Sequence, residues 1–213
     1  MRPALVLMCS PHAGGVTDML ARAFTVGLEE GGRPASCVAL REHPVLACTG
    51  CGACAPPPHV CVLADRDEAE WLFSRFVEAP MVLLASPIFF YALPATFKAW
   101  IDRGQRFWAA NDAAHGTERG SAQPAAGDKP VLALLAAGRP RGEELFTGAL
   151  RTLRWFVPSL GAQLAESRGF HGLDSPADLA ARGAVMEEAR QWGREWGRRL
   201  ATTSKTGAGA GER

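Results

Sequence analysis

Four of the chain's six cysteines fall within fourteen residues, Cys48, Cys51, Cys54 and Cys61 in the string CTGCGACAPPPHVC. A tight Gly-containing loop can aim three thiols spaced three residues apart at a common point, and Cys61 returns after the stiff Pro56-Pro57-Pro58 run. Four thiolates around one centre suit a cuboidal iron-sulfur cluster. A tetrahedral zinc site more often uses two separate paired-Cys knuckles, and a disulfide framework belongs to small secreted chains that cannot bury a core. A reduced, metal-free loop is the third alternative. Spacing favours the cluster over the empty loop, and the empty loop over zinc.

Three other segments carry candidate chemistry. After Cys9 the chain reads SPHAGGVTD, with hydroxyls at Ser10 and Thr17, and with Gly14 and Gly15 where a backbone must come close. If a helix opens at Val16 to Met19, its free N–H groups would hold a phosphate; the plainer reading is a Ser/Gly turn. The loop is neither GxxxxGK[ST] nor GxGxxG, so a nucleoside triphosphate or a dinucleotide fold is not indicated. Ser86-Pro87-Ile88-Phe89-Phe90-Tyr91 sets bulky apolar residues in a loop, costly unless something flat and partly apolar, such as an isoalloxazine ring, covers them. The alternative is that Phe89 and Phe90 pack beneath the long loop that follows. Residues 136 to 142, with Gly138, Arg139 and Arg141, are flexible and cationic, able to close on a ring edge, meet a donor's phosphate, or simply stay solvated.

The remaining reactive side chains point elsewhere. Cys9 could be activated by helix-terminal N–H groups, but a small buried sulfur filling space is the favoured reading, and Cys37 is expected in the core of a strand. His12, His43, His59, His115 and His171 stand in unrelated contexts, and HExxH, GxSxG and paired-carboxylate motifs are absent. No acid-base side chain is expected to dominate; the chemistry belongs to cofactors.

The elements that must position these residues alternate along the chain. Apolar runs at Ala4 to Cys9, Ala35 to Leu40, Met81 to Ser86, Val131 to Ala137 and Ala162 to Ser167 are each followed by a loop and a helical pattern. Most are continuously apolar, as expected for parallel strands covered on both faces. Leu20, Phe24 and Leu28 stripe the first helix, which Thr17 or Asp18 can cap. Phe97, Trp100 and Ile101 mark the third helical segment, and Phe146, Leu150, Leu153 and Phe156 the fourth. The last opens on Ser175-Pro176 with Asp178 and carries Val185, Ala189, Trp192 and Trp196 as packing anchors. Residues 1–200 are expected to form a single domain, with a long loop over 109–128 and a disordered tail over 201–213.

Composition narrows the partners. With 47% hydrophobic and 21% charged residues and a formal net charge of +1, the chain has the make-up of a globular domain and no field for gathering nucleic acid or an anionic membrane. The longest uncharged stretch, Ala79 to Phe97, is broken by Pro80, Pro87 and Pro94, poor material for a spanning helix. The apolar run after Arg2 is too short for a secretory signal, and clustered thiols suit a reducing cytoplasm.

Taken together, CSPHAGGVTDML, CTGCGAC with Cys61, Asp65 and Asp67, SPIFFYALPATFKAWIDR and KPVLALLAAG resemble the flavodoxin-like NADPH-dependent FMN reductases, and within them the iron-sulfur flavoproteins. The resemblance implies an α/β flavodoxin-like three-layer sandwich, its five-stranded parallel sheet in the order 2-1-3-4-5, with FMN at the first switch point. It also implies a homo-oligomer, dimer or tetramer, and a 4Fe-4S cluster on the four cysteines close to flavin. By matching position, Ser10, His12, Val16, Thr17 and Asp18 would surround the FMN phosphate, and Pro87, Ile88, Phe89, Phe90 and Tyr91 would line the ring, with Gly138 beside it. Relatives of this type commonly carry Arg at position 12 and Asn at position 16, so a fixed cation is expected to be missing here.

The leading expectation is an FMN-dependent oxidoreductase that passes electrons between a soluble donor, NAD(P)H or a small electron carrier, and an acceptor, using the cluster as a one-electron port. A cluster-free NAD(P)H-dependent FMN or quinone reductase is the second reading. A non-catalytic electron carrier or redox sensor is the third.

Overall fold

The computed structural model describes residues 2–115, 127–142 and 144–208. Five parallel strands, β1 (Ala4–Met8), β2 (Ala35–Ala39), β3 (Val82–Pro87), β4 (Lys129–Ala137) and β5 (Ala162–His171), pair in the order β2-β1-β3-β4-β5. Between and after them run α1 (Val16–Glu30), α2 (Ala69–Glu78), α3 (Ala95–Arg103), α4 (Gln105–His115), α5 (Thr147–Ser159), α6 (Pro176–Ala180) and α7 (Gly183–Ala208), with a single 3-10 turn at Leu40–Glu42. This is the flavodoxin-like α/β sandwich and strand order that the resemblance implies.

Alternation along the strands divides the core. Leu5 and Leu7 of β1 face a cluster built from Phe73, Phe76, Trp100 and Phe156, on α2, α3 and α5. Ala4, Val6 and Met8 face Leu20, Phe24, Leu28 and Trp192, on α1 and α7. Both faces are covered, which is why the strands read as continuous apolar runs.

The α1–α7 contact depends on bare backbone. A Cβ at Gly27 would lie 1.8 Å from the Arg190 carbonyl oxygen, and one at Gly193 would lie 2.0 Å from that of Phe24. Glu30 then clasps both Arg190 and Arg194, the latter at 2.7 Å. Those two hydrogen bonds hold the Glu30 carboxyl down, from an ordinary 4.5 to about 2.

Several expectations are corrected. Cys37 is exposed, because β2 is the edge strand, and the Thr25 hydroxyl meets its sulfur at 3.5 Å. Helix α1 opens at Val16 on Gly15, so Thr17 and Asp18 sit inside it and do not cap it. Residues 109–115 continue α4, whose alanines favour helix and whose Asn111 amide donates to the Ser159 carbonyl at 2.8 Å; residues 116–126 of the expected loop lie outside the described residues. The last strand runs on to His171. The final helical segment is two helices, and the Ser175–Asp178 capping box belongs to the short α6. Helix α7 carries through to Ala208, since propagation from a docked stem costs little, whereas disorder was expected from 201; residues 209–213 lie outside the described residues.

Candidate functional site

β2 and β3 flank β1 on opposite sides, so the carboxyl ends of β1 and β3 border the crevice where ligands bind in open α/β sheets. On the β1 side, Cys9 is buried, and its thiol is pushed well above the usual range by burial and then by Asp18. It fills space, as expected. The Ser10 hydroxyl both accepts from the His12 N–H and donates to the His12 carbonyl, each at 3.2 Å, folding the loop back on itself. His12 is left exposed. Gly15 caps α1 without any side-chain bond, and the first helical bond runs from Met19 N–H to the Gly15 carbonyl at 3.0 Å. The N–H groups of Val16, Thr17 and Asp18 therefore precede the hydrogen-bonded ladder, at the positive end of the helix dipole.

Asp18 has a different part from the one its position implied. Its fully buried carboxylate accepts from the Gly14 N–H at 3.0 Å and from both terminal nitrogens of Arg41, at 3.0 and 3.3 Å. Arg41 also donates to the Ser10 carbonyl at 3.3 Å. Asp18 thus braces the loop from within. A cation does stand at this loop, although not at position 12, and Asp18 neutralises it. Arg41 escaped notice in the sequence because it lies on the short turn after β2, far from the loop along the chain.

On the β3 side, the Ile88 N–H extends the sheet pairing to the Ala136 carbonyl at 2.8 Å beyond Pro87, and a two-residue turn follows. Phe89 and Ala92 exchange both backbone bonds, at 3.0 and 2.9 Å, around Phe90 and Tyr91 with φ of 48° and 62°. Such a turn normally takes Asn-Gly, and each L-residue held left-handed costs roughly 1–2 kcal/mol. Phe90 is fully exposed, and Phe89 and Tyr91 are more than 40% exposed, so among the described residues the aromatics are not packed away. Two contacts fix the turn. Arg139 donates to the Tyr91 hydroxyl, and Gly148 lets the Tyr91 carbonyl come so close that a Cβ would sit 2.5 Å from it. Gly138 lines the adjoining cavity of about 260 Å³ with Ile88, Phe90, Tyr91 and Arg139. Its lack of a side chain also serves Asp174, whose carboxylate oxygen would lie 2.4 Å from a Cβ there.

The cysteine cassette lies between the 3-10 turn and α2. Gly50 and Gly52 adopt φ of 67° and 72°, turning the loop sharply between thiols, and His59 does so at 58°. All six cysteines are free. Cys48, Cys51, Cys54 and Cys61 line one cavity of about 830 Å³, closed on its far side by Gln105, Trp108 and Asp112 of α4. Burial raises the Cys54 pKa, and the other three cassette cysteines push it the same way, since a thiolate at Cys54 would stand close to theirs. Cys51 is the activated member, lowered by the Ala53 N–H and the Thr49 hydroxyl.

Beneath the cassette, Arg103 of α3 is wholly buried. It donates to Asp67 and, at 3.2 Å, to the Leu46 carbonyl, while Asp67 accepts from the Leu46 N–H at 2.7 Å and the Ala69 N–H at 3.0 Å. The ends of the cassette loop are tied together there. Nε and Nη2 of Arg103 make no hydrogen bond of ordinary geometry, and Cys61 stands beside the guanidinium. Among the described residues the cavity lining includes none of residues 10–18 or 87–91, so there the cassette cavity and the β1–β3 crevice do not meet.

Residues 3–167 match the family model for NADPH-dependent FMN reductase. The chain belongs to that family. An iron-sulfur flavoprotein of Archaeoglobus fulgidus is 31% identical over 100 residues, 47% of this chain and 44% of that one. One from Methanocaldococcus jannaschii is 27% identical over 96 residues, 45% of this chain and 48% of that one. The match spans less than half the length of either relative. An FMN-dependent NADH:quinone oxidoreductase of Xanthomonas oryzae is 31% identical over 75 residues, 35% of this chain and 37% of that one. Among solved structures, a flavone reductase superposes with a TM-score of 0.66 at 16% identity, covering 99% of this chain and 66% of that one. An NAD(P)H:quinone oxidoreductase of Methanothermobacter marburgensis gives 0.63 at 18%, covering 92% and 96%. These structural likenesses speak for the fold.

The residues of this FMN reductase family member fit an FMN. The uncapped start of α1 offers backbone donors to a phosphate, and the strained turn presents uncovered aromatic faces at the neighbouring strand end. They fit a four-thiolate cluster in donor type: four free cysteines on one cavity, with the buried Arg103 guanidinium beside Cys61. Among the described residues no three His, Cys, Asp or Glu side chains converge as ligands of a single metal ion. None of the described helices is long and apolar enough to cross a membrane.

Proposed function

We propose that the chain is an FMN-binding oxidoreductase that moves electrons between NAD(P)H or a small electron carrier and an acceptor, through a 4Fe-4S cluster on Cys48, Cys51, Cys54 and Cys61. The observation that carries this reading is the gathering of all four cassette thiols on one cavity in a chain that also exposes a strained aromatic turn at the switch point. Bound FMN would supply conversion between two-electron and one-electron transfer. The chain's own part is binding and placement. Ser10, His12 and the N–H groups of Val16 to Asp18 hold the phosphate, with Asp18 acting through the loop it braces. Pro87 to Tyr91 cover the ring, Gly138 leaves room beside it, and Arg139 keeps Tyr91 in place. The separation of cassette and crevice within one chain favours a homo-oligomer in which one protomer's cassette serves its partner's flavin, and free thiols suit the cytoplasm.

Cys51→Ser tests the assignment. Iron and acid-labile sulfide should disappear while flavin content stays, and reduction of a one-electron acceptor by NADPH should fall at least ~10-fold while flavin reduction persists. Loss of flavin together with iron would make the cassette structural and overturn the port. The second reading, a cluster-free quinone reductase, is favoured by the quinone oxidoreductase relative and by the lack of converged ligands for a single metal ion. It requires flavin without iron and unchanged turnover in Cys51→Ser.

A further inference from the structure

We infer that Arg103 is a positioning residue for the cassette, binding the two ends of its loop together and turning its remaining N–H donors toward the centre that Cys61 would help to hold. The inference rests on the cluster reading above and extends it to a residue outside the cysteine motif. Arg103 sits at the last turn of α3, its side chain fully removed from solvent. One of its terminal nitrogens serves both flanks of the cassette, Leu46 on one side and Asp67 on the other. The other terminal nitrogen and Nε are buried and make no hydrogen bond of ordinary geometry, and the Cys61 sulfur is the group that stands beside them. Leaving buried donors of a charged group without a firm partner is costly, so their persistence beside Cys61 calls for a stronger acceptor there than a thiol. Burial alone would lower the Arg103 pKa, yet its hydrogen bonds to Asp67 and Cys61 carry it above its ordinary value.

Asp67 supplies one negative charge to Arg103, and an anionic cluster would supply the rest of the acceptors. N–H donors aimed at the sulfurs of such a centre stabilise its more negative, reduced form and so raise the reduction potential; Asp67 offsets the net charge of Arg103, so it is the donors that act. Lys keeps the charge but loses the planar fork that spans Leu46, Asp67 and the cassette.

The experiment uses the full chain, reconstituted anaerobically with iron and sulfide, as wild type, Arg103→Lys and the double variant Arg103→Met/Asp67→Asn, which leaves no unpaired buried carboxylate. Iron content, flavin content, thermal melting and the cluster's midpoint potential are measured on each. The double variant should hold flavin and melt as a folded protein, yet be harder to reduce by at least ~10-fold, about 59 mV for one electron. Arg103→Lys, which keeps a charged donor without the fork, should fall between wild type and the double variant in potential. If the double variant loses its iron while keeping flavin and fold, recovery of iron in Arg103→Lys supports the same role, and no recovery overturns it. A wild-type potential in the double variant overturns the role of Arg103 while leaving the cluster reading intact. Absence of iron from the wild type overturns both.

Discussion

At the scale of single residues, the least replaceable feature is a pair of aromatics held where glycine is usual. Phe90 and Tyr91 both sit in the left-handed region, and Phe90 is wholly exposed. Strain kept at an exposed tip points to function, since nothing in the fold gains from it. Replacing Phe90-Tyr91 with Asn-Gly should raise stability by about 1–2 kcal/mol in denaturant unfolding. The same variant should weaken flavin retention at least ~10-fold by fluorescence titration, as the ring's cover is lost. Unchanged flavin affinity would remove the turn from the site. The sequence showed that Phe89, Phe90 and Tyr91 had no ordinary place in a loop; it could not show the sign of φ, which emerges only when β3 and Gly148 constrain both ends of the turn. Asp18 carries the opposite lesson. Its position matched a phosphate loop, but its burial and its grip on Arg41 depend on the turn after β2, a contact that spacing along the chain cannot reveal.

At the scale of elements, α1 and α7 are joined by glycine contacts and by charge. Gly193→Ala forces a Cβ against the Phe24 carbonyl, and the helices must part. It should destabilise the fold by about 3 kcal/mol in chemical unfolding. An unchanged midpoint would mean the helices pack more loosely than their glycines imply. Glu30 adds a pH signature. Its folded pKa of about 2 lies below the ordinary 4.5, so its contribution is fully present above that ordinary value and is lost as the pH falls through about 2. The loss of thermal stability between those values should therefore be shallower in Glu30→Gln than in wild type. The five strands and the buried faces of α1, α3 and α5 were legible as apolar runs and helical stripes because burial on both faces dictates composition. Helix α4 was not: Ala-rich sequence with few large apolar residues has helical propensity but no strong periodicity, and its packing is decided by Phe107 and by Asn111's bond to Ser159. Cys37 misled for a related reason, since an apolar run does not say which strand lies at the sheet's edge.

At the scale of the whole molecule, an FMN reductase fold carries two candidate sites that share no lining among the described residues, the crevice between β1 and β3 and the cavity over the cassette. The cassette motif was plain in the sequence, whereas the Arg103–Asp67 tie beneath it joins residues 36 apart and needed the fold. If electrons pass between the two sites, copies of the chain must bring them together, and sedimentation should show a dimer or tetramer carrying flavin; a flavin-loaded monomer that still reduces a one-electron acceptor would contradict this arrangement. The most direct test of the central claim is cofactor analysis of the anaerobically purified chain, with iron, acid-labile sulfide and released flavin measured on the same sample. The account predicts one FMN and about four irons per chain, with matching sulfide. Flavin with no iron would contradict the electron port, and a chain that binds neither would contradict the oxidoreductase assignment itself.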